Sequence, residues 1–176
     1  MSKEASRSRG KNNSWMVDRH GRSGYSKARL FLSQDGKTGF AIKGKDLISV
    51  YSTKRGGAMA TVLAHAVARG ARTLDCYGGG LQNMYARFGA KAIAQVKFNE
   101  EYAPRDWDKE RRPSIVAKTL PSSLNRLVKA YNPGARIDLS RVRMIDKDPD
   151  TDYDTMLRIR DRALGRRSGA LALVNG

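Results

Sequence analysis

The stretch DLISVYSTKRGGAMATVLAHAVARGARTLDCY, residues 46–77, decides the fold of this chain. Residues 46–51 and 73–77 are short runs typical of strands, and apolar residues recur at helical spacing between them. The apolar positions of this helix are Met59, Val62, Leu63, Ala66 and Val67. Gly70 stands where a helix ends in the left-handed conformation. A strand–helix–strand order predicts a right-handed crossover between parallel strands.

The sequence on either side of this stretch adds further strands and helices. Residues 28–33 and 38–43 are apolar runs that flank Gln34-Asp35-Gly36-Lys37, and an Asp-Gly pair in this position predicts a β-hairpin. Strands are also predicted at 92–98 and 115–120, and helices at 81–88, at 124–131 and from about 152 to 164. We therefore expect an α/β (α+β) fold, in which a mixed sheet has an antiparallel opening meander and a central β-α-β crossover.

The chain divides by composition into three parts. Residues 1–27 are mostly polar and basic, and such a segment buries too little apolar surface to offset its ordering entropy, so it is predicted to be a flexible arm. Residues 28–120 carry the strands and the first helices and form the predicted domain. Residues 121–176 are predicted to be a basic, helical C-terminal extension.

The charge of the chain favours anionic partners. Lys and Arg number 34 and Asp and Glu 17 among 176 residues, which gives a net charge of +17. Residues 1–29 carry eight basic and two acidic residues, and residues 109–176 carry fifteen and eight, so the excess lies mainly at the two ends. A basic surface of this size attracts polyanions without identifying which one.

Other classes of protein and site are excluded by composition. The single cysteine, Cys76, excludes a disulfide framework and a cysteine-cluster zinc site. The two histidines, His20 and His65, form no metal or triad spacing, so no metal site is predicted. No apolar run reaches the roughly 18 residues that a membrane span needs. We therefore expect a soluble, intracellular protein.

A glycine-bearing basic loop precedes the central helix. Lys54, Arg55, Gly56 and Gly57 stand directly before the helix N-terminus, where free backbone N–H groups, the helix dipole and two basic side chains combine. Glycines let a phosphate approach the backbone closely, so the loop is suited to a pyrophosphate. The alternative is a plain β–α turn that uses glycine for its geometry. The loop matches neither the Walker pattern nor the dinucleotide fingerprint G-x-G-x-x-G.

A second motif gives the chain a family resemblance. LQNMYARFGA, residues 81–90, follows the strand at 73–77, and its segment from Met84 to Ala90 looks like the L-Y-x-x-x-G-F motif of the GNAT superfamily of acyl-CoA N-acyltransferases. This motif, the antiparallel opening and the Gly56-Gly57-Ala58 loop together make the chain resemble this superfamily over roughly residues 28–120. The stretch EEYAPRDWD, residues 100–108, is similar in style to small GNAT-like proteins encoded in bacteriophage genomes.

The resemblance implies an activity and a set of site residues. It implies transfer of an acyl group from acetyl-CoA to an amine acceptor. Backbone groups at Val50 and Ser52 would contact the pantetheine arm, and the loop from Lys54 to Ala58 would bind the pyrophosphate of coenzyme A. Tyr85 would protonate the leaving thiolate, because a phenol is neutral at pH 7 and has a proton to donate.

The loop also departs from the family's pattern, which leaves a second function open. Thr53 or Lys54, depending on register, stands where the family usually has Gln or Arg, and Ala90 replaces the usual Phe. These departures are compatible with a non-catalytic GNAT-like scaffold. Such a protein would be a structural or nucleic-acid-binding component, for example of a phage virion, with its basic arms on DNA or RNA. Its expected location is the cytoplasm, or the host cytoplasm or virion if it is phage-encoded.

Overall fold

The computed structural model describes residues 25–54, 58–99, 110 and 114–172. The predicted arm up to residue 24, the loop positions 55–57 and the phage-like stretch at 100–108 lie outside the described residues. The chain divides into two compact units, Met1–Arg72 with Ser122–Lys129 and Thr73–Pro121 with Ala130–Gly176. Both units contain strands and helices, so the predicted mixed α/β class is confirmed. The arrangement specific to the GNAT superfamily stays a prediction.

The described residues contain seven strands, four α-helices and a short 3₁₀ helix at Leu139–Arg141. The strands are β1 Ala28–Leu32, β2 Thr38–Lys43, β3 Asp46–Ser52, β4 Thr73–Tyr77, β5 Lys91–Lys97, β6 Ser114–Thr119 and β7 Met144–Ile145. The α-helices are α1 Ala58–Ala68, α2 Gly80–Ala86, α3 Leu124–Ala130 and α4 Asp152–Ala172. No helix in the described parts of the chain has both the length and the apolar composition needed to cross a membrane.

The first unit opens with the predicted antiparallel meander. β1 pairs with β2, and β2 pairs with β3, both antiparallel. Gly36 takes a φ of +66° in the β1–β2 turn, which confirms the hairpin predicted from Asp35-Gly36. α1 lies against β2 and β3. Its buried residues are Val62, Leu63, Ala66 and Val67, four of the five predicted apolar positions.

The second unit is built on a mixed sheet of four strands in the order β4-β6-β5-β7. β6 lies between β4 and β5 and is antiparallel to both. β7 is parallel to β5 and pairs through Met144 and Ile145 alone, and the sequence pattern did not predict so short a strand. β5 and β6 both have neighbours on two sides, and β6 is the more buried of the two, with five of its six residues buried.

One face of this sheet packs against α4. The core there is formed by five buried residues, Ala94, Val96, Ala117, Ile145 and Met156. α4 begins at the predicted Asp152 and continues to Ala172, beyond the predicted end near residue 164. Two of the five core residues, Ile145 and Met156, come from the segment predicted as a C-terminal extension. That segment therefore supplies part of the second unit's core.

The opposite face of the same sheet carries polar and ionisable residues. Side chains alternate between the faces of a strand, so Cys76 on β4 and Lys118 on β6 lie on one face with the apolar Leu74 and Val116. Gln95 on β5 ties a loop to the sheet: its Nε2 donates to the carbonyl oxygens of Leu139 (2.6 Å) and Val142 (2.9 Å). The Ser114 hydroxyl donates to Gln95 Oε1 at 2.9 Å.

Gly89 follows α2 and has no room for a side chain. Its φ is +80°, which L-residues rarely adopt, and a Cβ built there would lie 2.5 Å from the Cβ of Ala130. The helix predicted at 81–88 is observed as α2 Gly80–Ala86, and Gly89 lies in the turn that follows it. The close approach also brings Ala130 against the turn after α2.

Candidate functional site

The predicted cofactor-contacting strand, β3, contains a β-bulge. Tyr51 pairs with Gly39 and Ile48 pairs with Ala41, so Ser49 and Val50 together lie opposite the single residue Phe40. Ser49 has a φ of +53°, and it is the non-glycine residue with positive φ in the described part of the chain. A left-handed conformation costs a residue other than glycine about 1–2 kcal/mol, so the surrounding structure must hold it in place.

Two neighbouring groups hold the bulge. The Tyr25 hydroxyl donates to Ser49 Oγ at 2.7 Å. Gly39 leaves space for the ring of Tyr51, because a Cβ at Gly39 would lie 2.6 Å from Tyr51 Cε1. A bulge disrupts the ladder locally and turns the strand, and bulges are frequent next to functional sites. Here the bulge changes the direction of β3 just before the predicted loop begins.

The segment after the bulge is fixed to the β1–β2 turn. The backbone N–H of Thr53 donates to the carbonyl of Lys37 at 2.8 Å, and the N–H of Lys54 donates to Ser52 Oγ at 3.1 Å. The Ser52 and Thr38 hydroxyls lie 3.1 Å apart and share a hydrogen bond. The side chain of Ser52 is therefore engaged within the unit, and its position at the end of β3 is well defined.

Lys54 forms an ion pair that the sequence did not predict. Its Nζ lies 2.8 Å from Asp35 Oδ2, and both side chains are about half exposed (50% and 40%). The hydrogen bond from Lys54 holds the pKa of the Asp35 carboxyl well below its usual range, with further hydrogen bonds from the Ser33 hydroxyl and the Lys37 backbone N–H. A phosphate at this loop would therefore compete with Asp35 for the Lys54 ammonium.

The next feature of the predicted anion site is the N-terminus of the helix that follows. Ala58 is the first residue of α1, and no acidic residue occurs in its first turn. The unsatisfied N–H groups of a helix N-terminus favour an anion. Arg55, Gly56 and Gly57, the other predicted residues of the loop, lie outside the described residues. Val50, Ser52, Lys54 and Ala58 all belong to the first unit.

The predicted proton donor, Tyr85, belongs to the second unit and is buried on α2, with 5% of its surface exposed. Burial raises the pKa of the Tyr85 phenol above its usual range, and nearby Cys76 and Asp75 raise the pKa further. The phenol is therefore neutral at pH 7, as expected, but it is a weaker acid than a tyrosine in water. Asp75 on β4 accepts a hydrogen bond from the Tyr153 hydroxyl at 3.2 Å.

Lys118 is a candidate residue that the sequence reasoning missed. It is the fifth residue of the six in β6, its side chain is fully buried, and its Nζ has no hydrogen-bond partner among the described residues. Burial lowers the pKa of Lys118 from 10.5 to about 8, while the Cys76 thiol on the same face raises it slightly. The available signal was a lysine inside the otherwise apolar run Ile115 to Leu120.

Cys76 shares this buried face. Register places Leu74 opposite Lys118 and Cys76 opposite Val116, so Cys76 and Lys118 are diagonal neighbours on adjacent strands. Burial raises the pKa of the Cys76 thiol from 9.0 to about 12. The thiol is therefore buried and protonated at neutral pH.

His65 is exposed on α1, and its Nδ1 lies 3.0 Å from an Arg69 guanidinium nitrogen. No group of three or more histidine, cysteine, aspartate or glutamate side chains within the described ranges is arranged to hold a metal ion. A comparison with protein-family models, with curated proteins and with solved structures finds no match to this chain. The GNAT resemblance therefore rests on the quoted motifs alone.

Proposed function

We propose that the chain is a GNAT-like N-acyltransferase that transfers the acyl group of acetyl-CoA to an amine. The observation that carries the proposal is the bulge at Ser49–Val50, which interrupts the β2–β3 ladder immediately before a basic loop and a helix without first-turn acids. A disrupted strand leaves backbone groups less committed to a neighbouring strand, which suits a ligand that hydrogen-bonds to main chain.

The first unit supplies the binding groups of this proposal. Backbone groups at Val50 and Ser52 hold the amide-containing pantetheine arm. The N-terminus of α1 with Lys54, and the sequence positions Arg55, Gly56 and Gly57, bind the pyrophosphate. Binding requires Lys54 to leave Asp35 or to share its ammonium between the carboxylate and the phosphate, since the two anions use the same donor.

The proposed reaction is direct transfer between two bound substrates. The amine lone pair attacks the thioester carbonyl carbon, a C–N bond forms, the C–S bond breaks, and the electron pair leaves with sulfur. The proposed acid, Tyr85, gives its phenolic proton to the thiolate, and the attacking amine loses a proton to solvent. Burial raises the pKa of Tyr85, so the phenol is protonated at neutral pH and is a weaker acid than an exposed tyrosine.

Calorimetric titration of the full chain with acetyl-CoA tests the binding step. We expect saturable binding that Lys54→Ala weakens about three- to fivefold, as is usual for an exposed charge contact. The matched control is Lys43→Ala, which removes the same charge from an exposed position at the end of β2. Absence of binding at high micromolar acetyl-CoA, or equal losses in the two variants, would overturn the proposed site.

A kinetic experiment separates catalysis from binding. With a panel of small amines as acceptors, Tyr85→Phe is expected to lower kcat about a hundredfold while the affinity for acetyl-CoA stays the same, because a general acid acts in the transition state. Binding without turnover for any amine would favour the alternative, a non-catalytic GNAT-like protein of a larger assembly such as a phage particle.

A further inference from the structure

A pair of arginines meets on one aromatic ring at the end of the first unit opposite the loop that follows β3. The guanidinium carbons of Arg29 on β1 and Arg69 after α1 lie 5.9 Å and 5.1 Å from the centre of the Phe31 ring. Both arginines are exposed. Two like charges converge on one small area, which is unfavourable unless something compensates them.

The arginines are fixed by neutral partners rather than by carboxylates. Arg29 donates to the backbone carbonyl of Arg69 at 2.7 Å. Arg69 donates to the carbonyl of His65 at 3.2 Å and contacts the His65 ring nitrogen at 3.0 Å. These are the hydrogen bonds of the two guanidiniums within the described residues, and none of them neutralises a positive charge. The remaining N–H groups of each guanidinium can bind an anion.

Further basic residues surround the pair. Ala28 at the start of β1 pairs with Lys43 at the end of β2. The backbone N–H of Arg72, which follows α1, donates to the carbonyl of Lys45 at 2.8 Å. The start of β1, the β2–β3 turn and the segment after α1 therefore lie together. The acidic residue in this turn is Asp46, which is half-buried. We define the basic end of the first unit as Lys27, Arg29, Lys43, Lys45, Arg69 and Arg72.

We propose that the basic end of the first unit binds the phosphate backbone of double-stranded nucleic acid. Arginine forks match phosphate oxygens in geometry and can bind them bidentately, whereas a lysine acts as a point charge. A row of phosphates places an anion against each guanidinium and relieves their repulsion. This surface is separate from the proposed coenzyme A loop and does not depend on it.

The aromatic ring explains why the duplex backbone is favoured over a single strand. Proteins that bind single strands stack bases on open aromatic faces. Phe40 stacks on Phe31 with ring centres 4.8 Å apart, and the two guanidiniums lie over the same ring. Phe31 therefore already contacts a second ring and two guanidiniums. We therefore expect contacts to phosphates with little sequence preference.

Fluorescence anisotropy of the full chain with a labelled 20-base-pair DNA duplex tests the proposal. Arg29→Gln with Arg69→Gln is expected to weaken binding at least tenfold and to reduce the slope of log affinity against log salt by about 2, since each phosphate contact contributes about 0.9. The matched control is Arg126→Gln with Arg136→Gln, which removes the same charge from exposed positions elsewhere and should change affinity less than twofold.

Three outcomes decide the matter. Equal losses in the two double variants would overturn the proposal, because binding would then depend on net charge alone. Tighter binding of poly-glutamate than of DNA, lost in the same variant, would overturn it in favour of an acidic protein partner. Arg29→Lys with Arg69→Lys keeps the charge and the fold, so an affinity intermediate between wild type and the Gln variant would support the role of the guanidinium forks. Circular dichroism checks that each variant is folded.

Discussion

Two lysines of this chain show how differently the two units treat a positive charge. Lys54 in the first unit is half exposed and lies 2.8 Å from a carboxylate. Lys118 in the second unit is fully buried, and no hydrogen-bond partner for its Nζ occurs in the described part of the chain. An exposed ion pair changes the free energy of folding little, whereas a buried ammonium without a partner lowers the stability of the folded state. The ammonium of Lys54 can therefore leave its carboxylate and bind an anionic ligand. The ammonium of Lys118 destabilises the folded chain.

The largest expected effect concerns the neighbour of Lys118. Alkylation of Cys76 by iodoacetamide at pH 8 should be about a thousandfold slower in the native chain than in urea, because burial raises the pKa of the thiol from 9.0 to about 12 and the thiolate is the reactive form. Mass spectrometry of time points measures the two rates. A native rate within tenfold of the unfolded rate would show that water reaches the sheet face that carries Cys76 and Lys118. Lys118 would then be solvated, as Lys54 is.

The next effect is on stability. Lys118→Met should increase the free energy of unfolding at pH 7 by on the order of 2 kcal/mol, because an apolar side chain of similar length replaces an ammonium group without a partner. Urea denaturation measures the change. Lys54→Met is the control and should change stability much less. A loss of stability in Lys118→Met would mean that the ammonium has a stabilising partner.

The pH dependence of the same variant distinguishes charge from packing. Lys118 has a folded-state pKa of about 8, below its unfolded value of 10.5, so the unfolded chain binds more protons between these values and stability rises with pH. Between pH 7 and 9 the wild type should gain about 1 kcal/mol from this group, and Lys118→Met should lack that gain. Above pH 9 Cys76 acts in the opposite direction, because the unfolded chain loses a proton that the folded chain keeps.

The smallest effect concerns the exposed pair. Asp35→Asn removes the carboxylate that holds Lys54 and should change stability only slightly, with the difference disappearing in 1 M salt. The same variant should bind acetyl-CoA more tightly than wild type if Lys54 is released to the phosphate. Asp150→Asn, a change at an exposed carboxylate of the second unit, is the control for the loss of one negative charge. An unchanged affinity for acetyl-CoA would mean that Lys54 does not contact the phosphates of the ligand.

The local patterns of the sequence predicted most elements well. Asp35-Gly36 predicted the hairpin, the apolar spacing from Met59 to Val67 predicted α1, and Gly70 takes the left-handed φ expected of a helix stop. These features depend on neighbours within a few residues, so a single sequence contains them. β7 escaped prediction because two residues carry no pattern, and its pairing with β5 is set by distant parts of the chain.

The proposed site was less accessible to sequence reasoning. The bulge at Ser49 depends on Gly39 in the neighbouring strand and on Tyr25, and neither is marked by any local motif. The ion pair of Lys54 with Asp35 and the convergence of Arg29 and Arg69 are also contacts between separate elements. Charge composition predicted that anions would be attracted, but only the tertiary arrangement shows which basic groups lack a carboxylate among the described residues.

The close approach of Gly89 and Ala130 has a consequence for evolution. A side chain at position 89 would meet both an unfavourable φ and the methyl group of Ala130, so this position cannot carry a larger residue unless the turn moves. A substitution of Gly89 would be tolerated only in lineages where the local backbone has already changed. The glycine therefore offers a marker for tracing descent: distant homologues that share this turn should keep a glycine at this position.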